Sequence, residues 1–155
     1  MRVHLMEPAM SISPPREPLH PKMPAGKSVR LGIWVSQIAA AGLFCTSGVM
    51  KIMTPISELS AIMPWTGELS SGFVRVIGLI DLAGGLGLIL PSLTRILPRL
   101  TVIAALCCIV LQILASGFHS YRGEFAVLPL NALLLGLVAF IFWGRSTKAP
   151  IAPRR

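Results

Sequence analysis

The sequence is poor in charged residues. Only 13% of its 155 residues are Asp, Glu, Lys or Arg, against about a quarter in soluble proteins, while 54% are hydrophobic. A soluble domain of this length could not bury so much apolar surface. The 14 basic residues outnumber the six acidic ones, but they are scattered between apolar runs and form no basic patch with interleaved aromatics. We therefore expect membrane lipids around the chain and no nucleic acid as a partner.

The residues of common catalytic sites are also scarce. Cys45, Cys107 and Cys108 lack the C-x-x-C spacing of thiol redox enzymes, and no disulfide framework follows from them. Only His119 lies in an apolar segment, which is too little for a bis-histidine haem or a metal cluster. No phosphate loop or nucleophile elbow is present. We expect no metal site and no catalysis by the isolated chain, whereas a non-catalytic subunit of an oxidoreductase stays compatible with the sequence.

The two ends of the chain differ from its middle in composition. Residues 1–30 contain six prolines and no continuous apolar run, so they do not form a secretory signal. This composition predicts a disordered cytoplasmic tail, and residues 146–155 are predicted to form a second, basic tail. The domain between them spans residues 31–145.

Four apolar segments in that domain are long enough to cross a bilayer. The first, residues 31–50, has twenty residues without a charge, which as a helix spans about 30 Å of hydrocarbon. The others are residues 73–90, which we expect to end at Pro91, residues 100–118 and residues 125–143. The second holds Arg75 and Asp81, each of which costs roughly 2.5 to 3.5 kcal/mol at a helix centre unless neighbours compensate. The sequence predicts an all-α bundle of four transmembrane helices.

A short amphipathic helix is predicted between the first two spanning segments. Thr54 can cap it with Pro55 at its first position, and Pro64 ends it. Its apolar face consists of Ile56, Leu59, Ile62 and Met63. Such a helix could equally lie on the membrane surface or pack over the mouth of the bundle.

The distribution of cations predicts the orientation in the membrane. Eleven Lys and Arg residues lie in the two tails or between the second and third segments, and only Lys51, Arg75 and Arg122 lie on the other side. The positive-inside rule therefore places both termini in the cytoplasm, as an even number of spans requires. Four aromatic residues are expected in the two interfacial belts, Trp34 and Trp143 on the cytoplasmic side and Trp65 and Tyr121 on the other.

Small and polar residues recur at helical spacing and predict which faces meet. Small residues four apart favour close helix packing, and such rows include Ala83 with Gly87 and Ala132 with Gly136. Two further stripes mix small and polar groups and should point into the bundle. In the first segment the stripe is Gln37, Ala41, Phe44, Gly48 and Lys51, and in the third it is Thr101, Ala105, Cys108, Gln112, Ala115 and His119.

Asp81 is the central candidate of a polar site inside the membrane. It lies about 120° around the helix from Arg75, so its partner must come from another helix. Lys51, His119 and Asn131 are at a similar predicted level, with Gln112 somewhat deeper. These five residues predict either an outward-facing pocket or a purely structural network that holds the helices in register.

One further set of residues is characteristic by its order and spacing: Phe44, Ser47, Gly48, Lys51, Gly78, Asp81, Gly84, Gly87, Pro91, Pro98, Ala115, His119, Arg122, Glu124 and Asn131. With these residues the chain resembles the DoxX-like family of small four-helix membrane proteins over roughly residues 39–145. One departure is Asp81, where the family more often has glutamate. The resemblance implies a bacterial inner-membrane protein, with relatives tied to quinones and to soluble redox partners.

Three functions fit the sequence. The leading hypothesis is a membrane subunit or binding module for a lipophilic, quinone-like molecule, in which Asp81, His119 and Lys51 orient a polar head group. The second is a small proton-coupled transporter, in which Asp81 and His119 exchange protons. The third is a structural anchor that holds a soluble enzyme, such as a redox partner, at its basic cytoplasmic surface.

Overall fold

The computed structural model describes residues 26–154 of the chain. This part is helical and contains no strand, which confirms the predicted all-α class. The predicted disorder of the tail concerns mainly residues 1–25, which lie outside the described range. The helices are α1 (Lys27–Met53), α2 (Ile56–Ile62), α3 (Ser71–Thr94), α4 (Arg99–Tyr121) and α5 (Leu128–Trp143), with 3-10 turns at Pro64–Gly67 and Phe125–Val127 and a π-helical turn at Gly144–Lys148.

Four stretches are long and apolar enough to cross a membrane: α1, α3, α4 and the segment Phe125–Lys148, which includes α5. Successive spans run in opposite directions, so the start of α1 and the end of α5 lie at the same end of the bundle. We call this the terminal end, and the opposite end, which carries α2 and the turn before α5, the loop end. The chain is therefore a four-pass helical bundle, and α1 begins at Lys27, four residues before the first predicted span.

The end of α3 differs from the prediction. This helix does not stop at Pro91 but continues to Thr94, and Arg95 follows in the left-handed conformation with φ 58°. A proline near a helix end removes one N–H and deprives only the carbonyl four residues earlier of its partner, so the last turn can form beyond it. The hydroxyl of Thr94 donates to the carbonyl of Leu90 at 2.8 Å and supports that turn.

Glycines let α1 and α3 approach until their backbones touch. A methyl group on Gly48 would lie 2.7 Å from the carbonyl oxygen of Gly78, and one on Gly85 would lie 2.9 Å from that of Ala41. The predicted inward stripe of α1 is buried along its whole length, from Gln37 to Lys51. Close approach of small residues is the usual basis of helix association in membranes.

One predicted packing row is wrong. Ala132 and Gly136 are exposed, and a methyl group on Gly136 would meet nothing within 4 Å. Small residue size selected the wrong face of α5, whereas its polar residue Asn131, predicted to line the site, does lie on the inner face. The predicted row in α3 is only half right, because Gly87 packs against Ala104 of α4 but Ala83 is exposed. The inner face of α5 consists of Asn131, Leu134, Val138 and Ile141.

The predicted amphipathic helix, α2, packs over the mouth of the bundle. Leu59 is completely buried and forms a small apolar cluster with Trp65 and Val74. Two predictions about this part of the chain are wrong. Thr54 does not cap α2, since Pro55 occupies the N-cap position without a side-chain hydrogen bond. Trp65 does not face outward as a residue of an interfacial belt would, since it is buried within the segment that follows α2, residues 63–70, which we call the covering segment.

The terminal half of the bundle holds a polar cluster that is separate from the predicted site around Asp81, with an apolar core between the two. The amide nitrogen of Gln37 donates to the carbonyl of Leu88 at 2.6 Å and to Ser92, while its amide oxygen accepts from the guanidinium of Arg145 at 2.7 Å. Arg145 also lies 4.7 Å from the ring centroid of Trp34. The core that separates this cluster from the loop end includes Ala40, Phe44, Leu88, Ala105, Cys108, Leu134 and Val138.

Candidate functional site

A buried ion pair joins α1 to α3 near the loop end. The Nζ atom of Lys51 lies 2.8 Å from Oδ2 of Asp81, and each side chain is 8% exposed. Ser47, one turn before Lys51, donates its hydroxyl to the same carboxylate oxygen at 3.0 Å and accepts a hydrogen bond from Lys51. The pair sits where Gly48 lies against α3, so the close backbone approach brings both charges within reach. Asp81 is thus neutralised by a neighbouring helix, and the site carries no net charge at this point.

The other charge in α3 has a different role. Arg75 donates to the carbonyl oxygens of Lys51 and, at 2.9 Å, of Thr54. These carbonyls lie at the C-terminal end of α1, where backbone acceptors lack helical partners and a cation is favourable. Arg75 therefore stabilises the end of α1 and does not enter the polar site.

A cavity of about 1010 Å³ opens beside the ion pair, between the four spanning helices and beneath the segment that follows α2. Its walls are mostly apolar. The five residues singled out in the sequence all line it, namely Lys51, Asp81, Gln112, His119 and Asn131. Asp81 and Lys51 contribute from α3 and α1, Gln112 and His119 from α4, and Asn131 from α5.

Two amide groups in the cavity wall lack hydrogen-bond partners. The Nε2 atom of Gln112 and the Nδ2 atom of Asn131 are buried and have no partner within residues 26–154. Gln112 is 5% exposed and Asn131 is 8% exposed. An unpaired buried donor costs about 1 to 3 kcal/mol, so native proteins rarely leave one without a reason. The contrast within the chain is Gln37, whose amide is fully paired in the terminal half.

An ionic cluster closes the loop end of the cavity. His119, at the cavity wall, contacts Glu124 through Nδ1 and Oε2 at 2.6 Å, and Glu124 in turn accepts from Nε of Arg122 at 2.8 Å. Both terminal nitrogens of Arg122 donate to the carboxylate of Glu68 at 2.7 Å. Arg122 therefore links the turn after α4 to the segment that covers the mouth.

The cluster also changes the acidity of its carboxyl groups, which lie outside the spanning segments. The hydrogen bond from Arg122 lowers the pKa of Glu68. Burial raises the pKa of Glu124, but hydrogen bonds from Arg122 and His119 outweigh it and hold the pKa below its usual value. Both groups are therefore held in the charged form that the bridges require.

Several residues of the site were not selected from the sequence. Ser47 lies one helical turn before Lys51, a spacing that places the two on one face and could have indicated it. Trp65 and Phe118 meet edge to face in the cavity wall, with ring centroids 6.0 Å apart. They are separated by more than fifty residues, and no local pattern indicates their contact.

Comparison with known proteins gives a family match. A family model described as the DoxX-like family matches residues 35–141, more than two thirds of the chain. This range includes the ion pair, the covering segment, the ionic cluster and both unpaired amides. No curated protein and no solved structure matches the chain.

Proposed function

This chain belongs to the DoxX-like family and is a multi-pass membrane protein, and we propose that it binds a lipophilic small molecule with a quinone-like carbonyl head group in its cavity. The observation that carries the proposal is the pair of cavity-lining amides of Gln112 and Asn131, whose nitrogens lack partners among residues 26–154 in a mostly apolar wall. A half-turn of each amide about its last side-chain bond presents these N–H groups to the cavity. Carbonyl oxygens accept hydrogen bonds and donate none, so such a head group complements two N–H donors. Binding would remove the cost of leaving both amides unpaired.

Size and charge support the same class of ligand. Ligand pockets in proteins usually measure about 300 to 1,000 Å³, and the cavity lies at the upper end of that range, enough for a ring and part of an apolar tail. Lys51 and Asp81 neutralise each other, so the wall has no unbalanced charge there to favour an anionic lipid. A neutral head group with acceptor atoms fits best.

We infer the membrane and the orientation from charge. The terminal end carries Lys27, Arg30, Arg95, Arg99, Arg145, Lys148 and Arg154, whereas each of the three loop-end cations is engaged by a carboxylate or by helix carbonyls. The positive-inside rule then places the terminal end in the cytoplasm of a bacterial inner membrane. The cytoplasmic basic surface would suit a soluble redox partner with an acidic face, for which this chain serves as the membrane subunit.

Thiol labelling tests the orientation. In a chain without native cysteines, an impermeant maleimide applied to intact spheroplasts should label Ser57→Cys in the exposed part of α2. It should not label Ser146→Cys at the terminal end until the membrane is permeabilised. Labelling of Ser146→Cys in intact spheroplasts would overturn the orientation.

A thermal-shift assay with a short-chain ubiquinone in detergent tests the binding. The quinone should raise the Tm of the wild-type chain and not that of the double variant Gln112→Met and Asn131→Leu. Each lost hydrogen bond corresponds to about 0.5 to 1.5 kcal/mol, which weakens binding roughly twofold to tenfold. The control is Ser116→Ala, because this hydroxyl lies on α4 but bonds only the carbonyl of Gln112. Absence of a shift, or an equal shift in the double variant, would refute the proposal.

A proton-coupled carrier is less compatible with the packing. Asp81 is paired on one oxygen by both Lys51 and Ser47, and the apolar core separates the cavity from the polar cluster around Gln37. Asp81→Asn distinguishes the two functions. A carrier should lose pH-dependent flux in reconstituted vesicles, whereas a binding module should keep its response to the quinone in weakened form.

A further inference from the structure

The cavity wall between α3 and α4 is also part of the outer surface of the bundle. Phe73 in α3 and Leu114 in α4 both line the cavity, yet they are 50% and 65% exposed. Phe118 and Ile77 continue this wall. A side chain that faces both an internal space and the outside marks the edge of an opening, and on this bundle the outside is the hydrocarbon of the membrane.

The two helices are close in one half and apart in the other. In the terminal half, a methyl group on Gly84 would lie 2.9 Å from the sulfur of Cys108, and one on Gly87 would lie 2.9 Å from Cβ of Ala104. Towards the loop end, the cavity lies between the facing surfaces of α3 and α4 instead. The close contacts of α3 with α4 therefore lie in the terminal half, and the cavity opens beside the two helices towards the loop end.

The loop end, in contrast, presents an aromatic ring and charged groups above the cavity. Trp65 is 8% exposed and packs edge to face on Phe118 above the cavity. The bidentate bridge between Arg122 and Glu68 ties this covering segment to the turn after α4, and Glu124 holds Arg122 from the other side. A molecule coming from water meets this ionic cluster at the loop end, whereas one coming from the bilayer between α3 and α4 meets apolar side chains.

We infer that the cavity is reached sideways from the bilayer, through the gap between α3 and α4, by an apolar chain that occupies the gap while the head group lies near Gln112 and Asn131. The head-group part rests on the proposed function, but the route itself depends only on the apolar walls. The competing route is the gap between α1 and α5, where the wall residues Leu43 and Leu130 are 39% and 49% exposed. The greater exposure of the wall on the α3–α4 side favours that gap.

Fluorescence of Trp65 provides the test. With Trp34→Phe and Trp143→Phe, Trp65 is the single tryptophan of the chain, and its ring lines the cavity. The full chain is reconstituted in vesicles of phosphatidylcholine that carries bromine atoms in the middle of its acyl chains. Bromine quenches tryptophan on contact, so acyl chains inside the gap should quench Trp65, while iodide ions in the water should not.

Substitutions that fill the gap identify the route. Ile77→Phe together with Leu114→Phe should cause the loss of most quenching by the brominated lipid. The matched control is Leu79→Phe together with Ile113→Phe, which lie on the same two helices and face outward but do not line the cavity. The control should retain the quenching. Thermal unfolding of each variant in detergent verifies that the bundle is intact.

The outcomes separate this inference from the proposed function. Quenching by iodide without quenching by the brominated lipid would overturn the lateral route, as would a loss of quenching caused only by Leu43→Phe with Leu130→Phe. Quenching of Trp65 by the brominated lipid that is lost when the gap is filled supports the route even if the quinone gives no thermal shift. An acyl chain can enter the gap without a carbonyl head group. A quinone shift that survives in a chain whose Trp65 is never reached by lipid would support the binding function and overturn the route.

Discussion

The ammonium group of Lys51 lies 2.8 Å from a carboxylate oxygen of Asp81 where Gly48 brings the backbone of α1 against that of α3. In the sequence the two residues are thirty positions apart, with α2 between them. The glycine contact and the ion pair therefore depend on each other. A bulkier residue at the crossing would move the charges apart, and an uncompensated charge would oppose the close crossing.

Removing one charge of this pair should destabilise the bundle more than removing both. We expect Asp81→Asn to cost about 3 to 5 kcal/mol, because it leaves a buried ammonium without a counter-charge. Addition of Lys51→Met should restore most of the loss. Unfolding of the single and double variants in detergent, analysed as a double-mutant cycle, measures the coupling. If the two effects simply add, the pair contributes nothing to the packing of α1 on α3.

The same substitution should have opposite effects at two glycines. Gly85→Ala places a methyl group 2.6 Å from the sulfur of Cys45 and 2.9 Å from a backbone oxygen, so we expect a loss of about 1 to 3 kcal/mol. Gly136→Ala meets nothing within 4 Å and should stabilise α5 by about 0.5 to 1 kcal/mol through helix propensity. Thermal unfolding compares the two variants directly. Equal effects would contradict the assigned helix faces.

Two buried glutamines should also respond in opposite ways. Without ligand, Gln112→Met removes an unpaired buried amide and should leave the Tm unchanged or raise it, since the cost of the unpaired donor is about 1 to 3 kcal/mol. Gln37→Met removes the partner of Arg145 and should destabilise the chain by at least a similar amount. Both are measured in ligand-free detergent solution. A large destabilisation by Gln112→Met would mean that its amide has a partner in the resting protein.

Acid should loosen the covering of the cavity. The pKa of Glu68 is lowered by its hydrogen bond from Arg122, and that of Glu124 is lowered, against the effect of burial, by bonds from Arg122 and His119. A carboxyl group with a lowered pKa in the folded state contributes its stability above the ordinary glutamate pKa of about 4.3, and this contribution is lost as the pH falls through the lowered value. Accessibility of Trp65 to iodide should therefore rise in that acidic range.

The control for the acid effect is Arg122→Gln, which removes the cation shared by both carboxylates. This variant should show greater iodide accessibility already at neutral pH and little further change in acid. An unchanged acid response in Arg122→Gln would assign the effect to other groups.

The transmembrane architecture was predictable because a helix that crosses the hydrocarbon of a bilayer needs an unbroken apolar stretch of sufficient length. The inward stripes of α1 and α4 were also predictable, since polar groups such as Gln37 and Gln112 stand out against an apolar background. The face of α5 was indicated only by Asn131, because the rest of the helix is so uniformly apolar that its small residues pointed to the wrong side. There the orientation is decided by shape, with Leu134 and Val138 inward and Gly136 outward.

The five polar residues named from the sequence line one cavity, but their partnerships depend on geometry that spacing does not contain. Asp81 pairs with Lys51, whereas His119 turns to Glu124 in the following loop. The residues in the loops pair with one another across turns, and helical periodicity does not predict the course of the backbone through a turn. Trp65 illustrates the same point, because a tryptophan near a span end is typical of the interface, and only the fold of the covering segment turns it inward.

Backbone lies directly against backbone where α1 crosses α3, so no side chain there can rotate aside to make room for a guest. This half of the bundle must behave as a stationary wall. The backbone motion that admits or releases a molecule then falls mainly to α4 and α5, and distance probes on those two helices should record larger movements than probes on α1 and α3.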